Sequence, residues 1–358
     1  MQALILVGGE ATRLRPLTCN MPKSMVPVLN TPFLEHMLKY LAGHEIRDII
    51  LAQRYLPEIM ERYFQDGSQF GVKLTYSLEK IPLNTAGAVK NAEPFLKGRL
   101  VVLNGDIFTD LDISQMLSFH IEKKAAVTIA LTPVEDPSAF GLVETTLQGR
   151  ITRFLEKPKK EEITTNMINA GIYILEPEIL SKIPAQTNYS FERQLFPSLL
   201  AEDAPVYGYA CTGYWIDIGT PDKYFQLHKD LLEGKLQHYS QDNEYPGTSY
   251  QIHPEARIEG KVVIGNNCVI KRGAVIQGPT VIGPHSLVEE ETMIRESVIW
   301  HNLTAGPRAT ISGCLIANNC LLQTGCVLEK SVLGDHITIT CNTRLGPGSR
   351  IWPPASQG

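Results

Sequence analysis

The sequence predicts an α/β domain built on a mostly parallel sheet, followed by a triangular parallel β-helix, and three observations carry that prediction. An apolar strand at residues 3–7 runs straight into Gly8 and Gly9 and then into a stretch bearing Arg13, Arg15 and Lys23. Short apolar runs then alternate with amphipathic segments as far as about residue 235. Beyond residue 251 the aliphatic residues recur every six positions.

In the first part, DIILA (48–52), RLVVLNGD (99–106) and AVTIALTPV (126–134) read as strands. FLEHMLKYLA (33–42), LPEIMERYF (56–64) and ISQMLSFHIE (113–122) place apolar residues three and four apart and read as helices. Apolar strands joined by helices favour a Rossmann-like, mainly parallel sheet, whose ligands collect at the carboxyl ends of the strands. Gly8, Gly9 and Asp106 fall at such ends. TPDKYFQLHKDLLEGK (220–235) predicts a closing helix, with Thr220 as N-cap, Pro221 at the first position and Tyr224, Leu227 and Leu231 as its apolar stripe. The polar stretch that follows, with Pro and Gly, predicts a boundary, giving a first domain over 1–236, a linker over 237–251 and a second domain over 252–358.

Ile252, Ile258, Ile264, Ile270, Ile276, Ile282, Val288 and Ile294 are aliphatic at intervals of six. Then IRESVI, ISGCLI and LEKSVL begin at Ile294, Ile311 and Leu328, seventeen apart, which corresponds to two six-residue sides and one of five per coil. Three sides make a triangle. The pattern resembles the left-handed hexapeptide-repeat β-helix family, whose coils bury an aliphatic residue on each side and stack on their neighbours. Small residues lie four positions after the aliphatic ones, and Cys268, Cys320 and Cys326 occupy that place, so they read as small hydrophobes instead of metal ligands.

Composition narrows the function. The 358 residues are 43% hydrophobic with a net charge of −5, which suits a globular chain and argues against nucleic acid as a partner. Seven scattered cysteines without a CxxC pair suggest neither a disulfide framework nor zinc. Residues 1–7 lack a basic leader, and no stretch approaches twenty uninterrupted apolar residues, so the expectation is a cytoplasmic protein with no membrane partner.

The loop after the first strand carries the chemistry. Paired glycines bring bare N–H groups to a ligand while basic residues gather just beyond, an arrangement suited to a nucleoside triphosphate. Neither GxGxxG opening a helix nor a Walker GxxxxGK[ST] spacing occurs. GGEATRLRPLTCNMPK (8–23) instead resembles the signature of sugar-1-phosphate nucleotidyltransferases, and the likeness extends over nearly the whole chain. It is greatest to bacterial mannose-1-phosphate guanylyltransferases with a β-helical tail.

That resemblance implies roles residue by residue. Arg13 and Lys23 would hold pyrophosphate, with Gly8, Gly9 and Thr12 at the nucleotide. Asp106, after VVLNG, and Asp217, in YWIDIGTP, would hold Mg²⁺, which prefers one or two carboxylates together with phosphate oxygens and water. In FLEKP (154–158), Lys157 would hold the sugar phosphate and Glu156 the sugar hydroxyls, the two facing opposite sides if the strand continues. FGLVE (140–144) and NAGIY (169–173) would add Gly141, Asn169 and Gly171 to the sugar pocket.

SLEKIPLNTAG (77–87) resembles the base-reading loop, with Glu79, Asn84, Thr85 and Gly87 at the nucleotide. Glu79 stands where uridylyl- and thymidylyltransferases tend to have Gln. A carboxylate suits the adjacent N1–H and N2–H donors of guanine, so Glu79 points to GTP. Asn84 replaces a usual Gly, Ala11 another, and Ser24 a usual Pro. The expected reaction is GTP with mannose 1-phosphate giving GDP-mannose and pyrophosphate. Alternatives are a uridylyl- or thymidylyltransferase for glucose 1-phosphate, a heptose-1-phosphate guanylyltransferase, and a non-catalytic nucleotide-sugar-binding subunit. An acyltransferase using His285, His301 or His336 is a further reading, while the flat faces of the β-helix suit a homo-oligomer.

Overall fold

In the computed structural model the first sheet grows outward from β1 (Gln2–Leu6), an apolar run buried nearly throughout. Parallel partners flank it on both sides: β2 (Asp48–Gln53) and β4 (Leu100–Asn104), with β3 (Lys73–Leu78) parallel beyond β2. Burial on both faces explains why β1, β2 and β4 read as continuous apolar runs without alternation. The remaining strands are β5 (Val127–Pro133), β6 (Gly141–Thr145), β7 (Ile151–Glu156), β8 (Met167–Leu175) and β9 (Val206–Ala210).

The main path runs β7-β6-β8-β4-β1-β2-β3, with β5 joining β8 to β9. The sheet is therefore mixed, with a parallel half around β1 and an antiparallel half around β8, which pairs antiparallel with β4, β5 and β6. Alternating strand-helix order accounts for the parallel half. The β6–β7 pair is antiparallel and joined by a short turn, so no crossover helix intervenes there.

Helices α1 (Phe33–Gly43), α2 (Pro57–Phe64), α3 (Asn84–Asn91), α4 (Ile113–Glu122), α5 (Phe196–Ala201) and α6 (Pro221–Leu232) follow. In α6 the Thr220 hydroxyl accepts the Lys223 N–H, Pro221 starts the helix, and Tyr224, Leu227 and Leu231 are buried, as the sequence led us to expect.

The structure describes residues 1–236 and 249–354, so most of the expected 237–251 linker lies outside the described residues. By compactness the chain forms two units, Met1–Gly9 with Leu34–Trp215, and Glu10–Phe33 with Ile216–Gly358. The basic loop and α6 thus group with the β-helix, while the first unit keeps the sheet.

Three six-stranded parallel sheets form the β-helix, consistent with a left-handed hexapeptide-repeat coil. One sheet stacks Ile258, Ile276, Ile294, Ile311, Leu328 and Leu345 in register, and the phase slip after Ile294 is the predicted five-residue side, with Ile299 beginning to stack on Ile282. Cys268, Cys314, Cys320 and Cys326 lie in the buried core, where burial pushes the Cys314 thiol to about 11 and that of Cys320 to about 12. His285 and His336 occupy left-handed turn positions that other coils fill with Asn267, Asn302 and Asn319, so turn geometry accounts for both. Among the described residues no helix is long and apolar enough to cross a membrane.

Burial ranks the repeat positions. Ile294 is fully buried while Ile258, on the first coil, is 38% exposed. Ile294→Ala should remove about 3 kcal/mol from β-helix stability and Ile258→Ala under about 1 kcal/mol, as read from urea midpoints.

Candidate active site

In the first unit, β3-β2-β1-β4 run parallel, and the chain leaves β1 toward β2 on one side and β4 toward the other half of the sheet. Open α/β sheets take their ligands at such a switch point. Gly8 and Gly9 follow β1, and Asp106 follows β4 after Gly105. The Gly105 N–H donates to the Leu6 carbonyl at 2.9 Å, and a Cβ there would lie 2.5 Å from that oxygen, so the crossing of the two strand ends requires glycine.

Glu79, just past β3, is buried beside this turn. A Cβ on Gly8 would stand 2.9 Å from Glu79 Oε1, whereas one on Gly9 would meet nothing within 4 Å. The Leu83 N–H donates to Glu79 Oε2 at 3.2 Å. Burial pushes the Glu79 carboxyl above its ordinary value, opposed by the Leu83 N–H and the Arg54 charge.

Asn84 adopts the left-handed conformation, φ 62°, which asparagine tolerates better than most residues, and its Oδ1 accepts the Thr85 N–H at 2.9 Å. At Gly87 a Cβ would lie 2.5 Å from the Thr187 carbonyl, so this glycine serves close packing of α3.

The expected sugar residues converge on the antiparallel half. Glu156 pairs with Gly141 across β7 and β6, and a Cβ on Gly141 would stand 3.1 Å from Glu156 Oε2. β7 ends at Glu156, and Lys157 turns to φ 54°, so strand alternation no longer sets where it points. A left-handed lysine is strained by about 1 kcal/mol, and such strain concentrates at functional sites. Asn169 and Gly171 sit at a register break in β8, with the Gly171 N–H donating to Asn169 Oδ1 at 2.9 Å. Gly171 is at φ 73°, and a Cβ would lie 2.6 Å from Asn104 Nδ2.

Sequence reasoning missed Glu192, which links these segments. Thr85 Oγ1 donates to Glu192 Oε2 at 2.9 Å, Tyr173 Oη donates to Glu192 Oε1 at 3.3 Å, and Asn169 Nδ2 donates to Tyr173 Oη at 2.8 Å. A polar chain thereby joins the nucleotide loop to the sugar residues. Glu192 lies in a π-helical turn, Phe191–Leu195, a geometry common at functional sites. Burial first, and the Glu192 charge second, raise the Glu156 carboxyl. The available signal was an acidic residue set between the aromatic residues of SFERQLFP.

The second unit holds Arg13, Lys23 and Asp217. Gly219 brings two of them together: a Cβ there would lie 2.8 Å from Asp217 Oδ2 and 3.0 Å from Arg13 Nη2. Lys223 forms an ion pair with Asp217. Lysine in the first turn of a helix opposes the helix dipole, and that misfit was the signal for an anion nearby. Thr12 and Arg13 are exposed on a 3₁₀ turn, and Ala11 before them is left-handed at φ 48°, which explains why glycine usually precedes TRL. Lys23 opens another 3₁₀ turn, with Ser24 buried behind it.

Among the described residues no group of three or more His, Cys, Asp or Glu could hold a metal ion. Asp106 and Asp217 are hard oxygen donors, and Asp217 is already matched to positive charge by Lys223. These donors fit Mg²⁺ arriving with a phosphorylated substrate, since that ion fills its shell mainly from phosphates and water.

Comparison with known proteins identifies the family. The nucleotidyl transferase family profile matches residues 2–234, and the GMPPB C-terminal domain profile matches residues 258–353. A mannose-1-phosphate guanylyltransferase of Mycobacterium tuberculosis is 38% identical over 76% of this chain and 77% of its own. A UTP–glucose-1-phosphate uridylyltransferase of Synechocystis is 34% identical over 88% of this chain and 87% of its own. Among solved structures, HddC from Yersinia pseudotuberculosis complexed with GMP-PN is 27% identical, with a TM-score of 0.55 over 63% of this chain and 97% of that one.

Because the native Glu79 carboxyl is raised, its neutral form is favoured by folding. That contribution is complete below the unfolded carboxyl value and is lost as pH rises through the native one. Glu79→Gln should therefore raise the melting temperature relative to wild type more at pH 7 than at pH 4, checked by calorimetry at both.

Proposed function

Because this chain belongs to the nucleotidyl transferase family, we propose that it transfers the guanylyl group of GTP to mannose 1-phosphate, giving GDP-mannose and pyrophosphate. The observation that carries the base assignment is the buried Glu79 carboxylate packed against the Gly8 backbone. A carboxylate accepts the paired N–H donors of guanine, and the glycine lets the base approach. Mannose rests on the mannose-1-phosphate guanylyltransferase relative. A second reading, UTP with glucose 1-phosphate, is favoured by the uridylyltransferase relative.

The chemistry follows from the residues. A sugar 1-phosphate has a second pKa of about 6 and is largely dianionic at neutral pH, so its oxygen attacks without a general base. In one displacement at the α-phosphorus the new O–P bond forms, the bond to the bridging oxygen breaks, and the electron pair leaves on pyrophosphate. Lys157 aligns the attacking phosphate, Glu156, Asn169 and the bare backbone at Gly141 and Gly171 receive the sugar, and Arg13 and Lys23 neutralise the leaving group. Gly8, Gly9, Thr12, Asn84, Thr85 and Gly87 form the nucleotide side. Asp106 and Asp217 would hold Mg²⁺, which supplies further charge neutralisation at the triphosphate. The proposal includes a cytoplasmic setting, supported by seven free cysteines among the described residues, and a homo-oligomer, supported by the flat sheets of the β-helix.

Pyrophosphate release from GTP, UTP, dTTP, ATP and CTP, each with mannose 1-phosphate and then with glucose 1-phosphate, tests the reading. Release should be fastest with GTP and mannose 1-phosphate and fall at least about 100-fold in Asp106→Ala. Faster release with UTP and glucose 1-phosphate would select the second reading.

A further inference from the structure

The basic loop at residues 10–33 is fastened to the β-helix at four places inside the second unit. Trp300 Nε1 donates to Tyr224 Oη at 2.9 Å, and that hydroxyl in turn donates to the Pro27 carbonyl. Trp300 and Tyr224 are both fully buried, at 1% and 0% exposure, so each polar atom depends on this chain of partners. Asn30 Nδ2 donates to the Ile282 carbonyl at 3.1 Å. On the other arm of the loop, Asn20 Nδ2 donates to Asp335 Oδ2 at 3.3 Å, and Arg350 Nη1 donates to the Arg15 carbonyl at 3.0 Å.

These contacts bracket Lys23, while Arg13 lies just before the first of them, at Arg15. Lys23 lies between Asn20 and Pro27, and its turn is closed by the Val26 N–H donating to the Lys23 carbonyl at 3.2 Å. Pro27–Val28 then pairs with Thr31–Pro32, so fixing Pro27 fixes the exit of that turn. Tyr224 also follows Lys223, the partner of Asp217, so one hydroxyl ties the lysine turn to the helix that clasps the carboxylate.

We infer that Trp300, acting through Tyr224, is a positioning residue for the pyrophosphate-holding loop, and that the β-helix is thereby a working part of the phosphate site as well as a scaffold. The inference rests on the assignment of Arg13 and Lys23 to pyrophosphate made above. A loop held at both arms presents its cations without first being ordered by the ligand, which strengthens binding of the polyanion. The sugar phosphate, assigned to Lys157 and Glu156 of the other unit, should be indifferent to these contacts.

Calorimetric titration of the full chain with inorganic pyrophosphate, and separately with mannose 1-phosphate, tests this without turnover. Trp300→Phe keeps a ring and removes the donor, and Tyr224→Phe removes the hydroxyl. Each should weaken pyrophosphate about fivefold, the double variant no more than Tyr224→Phe alone, and mannose 1-phosphate should change less than about twofold. Should the core variants fail to fold, Asn20→Ala, at an exposed position, should weaken pyrophosphate about threefold with sugar phosphate binding kept. Unchanged pyrophosphate binding in these variants, effects that multiply in the double, or equal loss of both ligands would overturn the inference. No pyrophosphate binding by wild type would instead overturn the assignment of the loop, and this inference with it.

Discussion

Asp217 is the point on which the second unit turns. A buried carboxylate beside Gly219, with Lys223 paired to it and Arg13 at the same glycine, sets where positive charge stands. The chain as a whole carries −5, so it cannot attract a triphosphate by bulk charge and must concentrate cations locally. Concentrating them is unfavourable unless an anion sits among them, and Asp217 is that anion. Under the proposed function, the same lysine and arginine would meet the negative charge of the substrate.

Holding such a cluster demands a rigid frame. Loops are ordinarily the most mobile part of an α/β protein, yet residues 10–33 carry short 3₁₀ turns, a two-stranded pairing and hydrogen bonds to Ile282, Asp335 and Arg350 of the β-helix. The β-helix supplies that frame cheaply. Its stacked aliphatic ladders give a repetitive core, and single departures from the repeat, such as Trp300 and Asp335, are free to reach outward. The first unit uses the opposite device, bare backbone. At Gly8, Gly105, Gly141 and Gly171 any side chain would collide with a neighbour: the Glu79 carboxylate at Gly8, and the Phe154 ring with Glu156 Oε2 close by at Gly141. Close approach of backbone and carboxylate gives specific polar recognition in a small space.

Much of this was legible in the sequence because it is periodic or locally constrained. The six-residue period set the three sheets and the five-residue side after Ile294, and Thr220–Pro221 marked the start of α6. The parallel half of the sheet followed from strand-helix alternation, but the antiparallel half did not, since strand direction depends on long-range pairing of β8 that no local pattern encodes. Asn84 was legible as a replacement for a usual glycine, but its left-handed conformation came only with the fold. The direction of Lys157 was not, because the strand stops one residue earlier than the alternation assumed. Glu192 and Lys223 escaped notice for a common reason: each acts through partners 107 residues away or six residues away that only folding brings to it. Whether a lone charged residue is solvated or networked is decided by tertiary contacts.

Under the proposed function, transfer is a single in-line displacement at the α-phosphorus, driven by positioned cations with no protein nucleophile. Stereochemistry tests it most directly. With one diastereomer of GTP carrying sulfur at the α-phosphorus, mannose 1-phosphate as acceptor and phosphorus NMR of the sugar nucleotide formed, inversion of configuration is the expected result. Retention would require two displacements through a nucleotidylated side chain and would contradict the account.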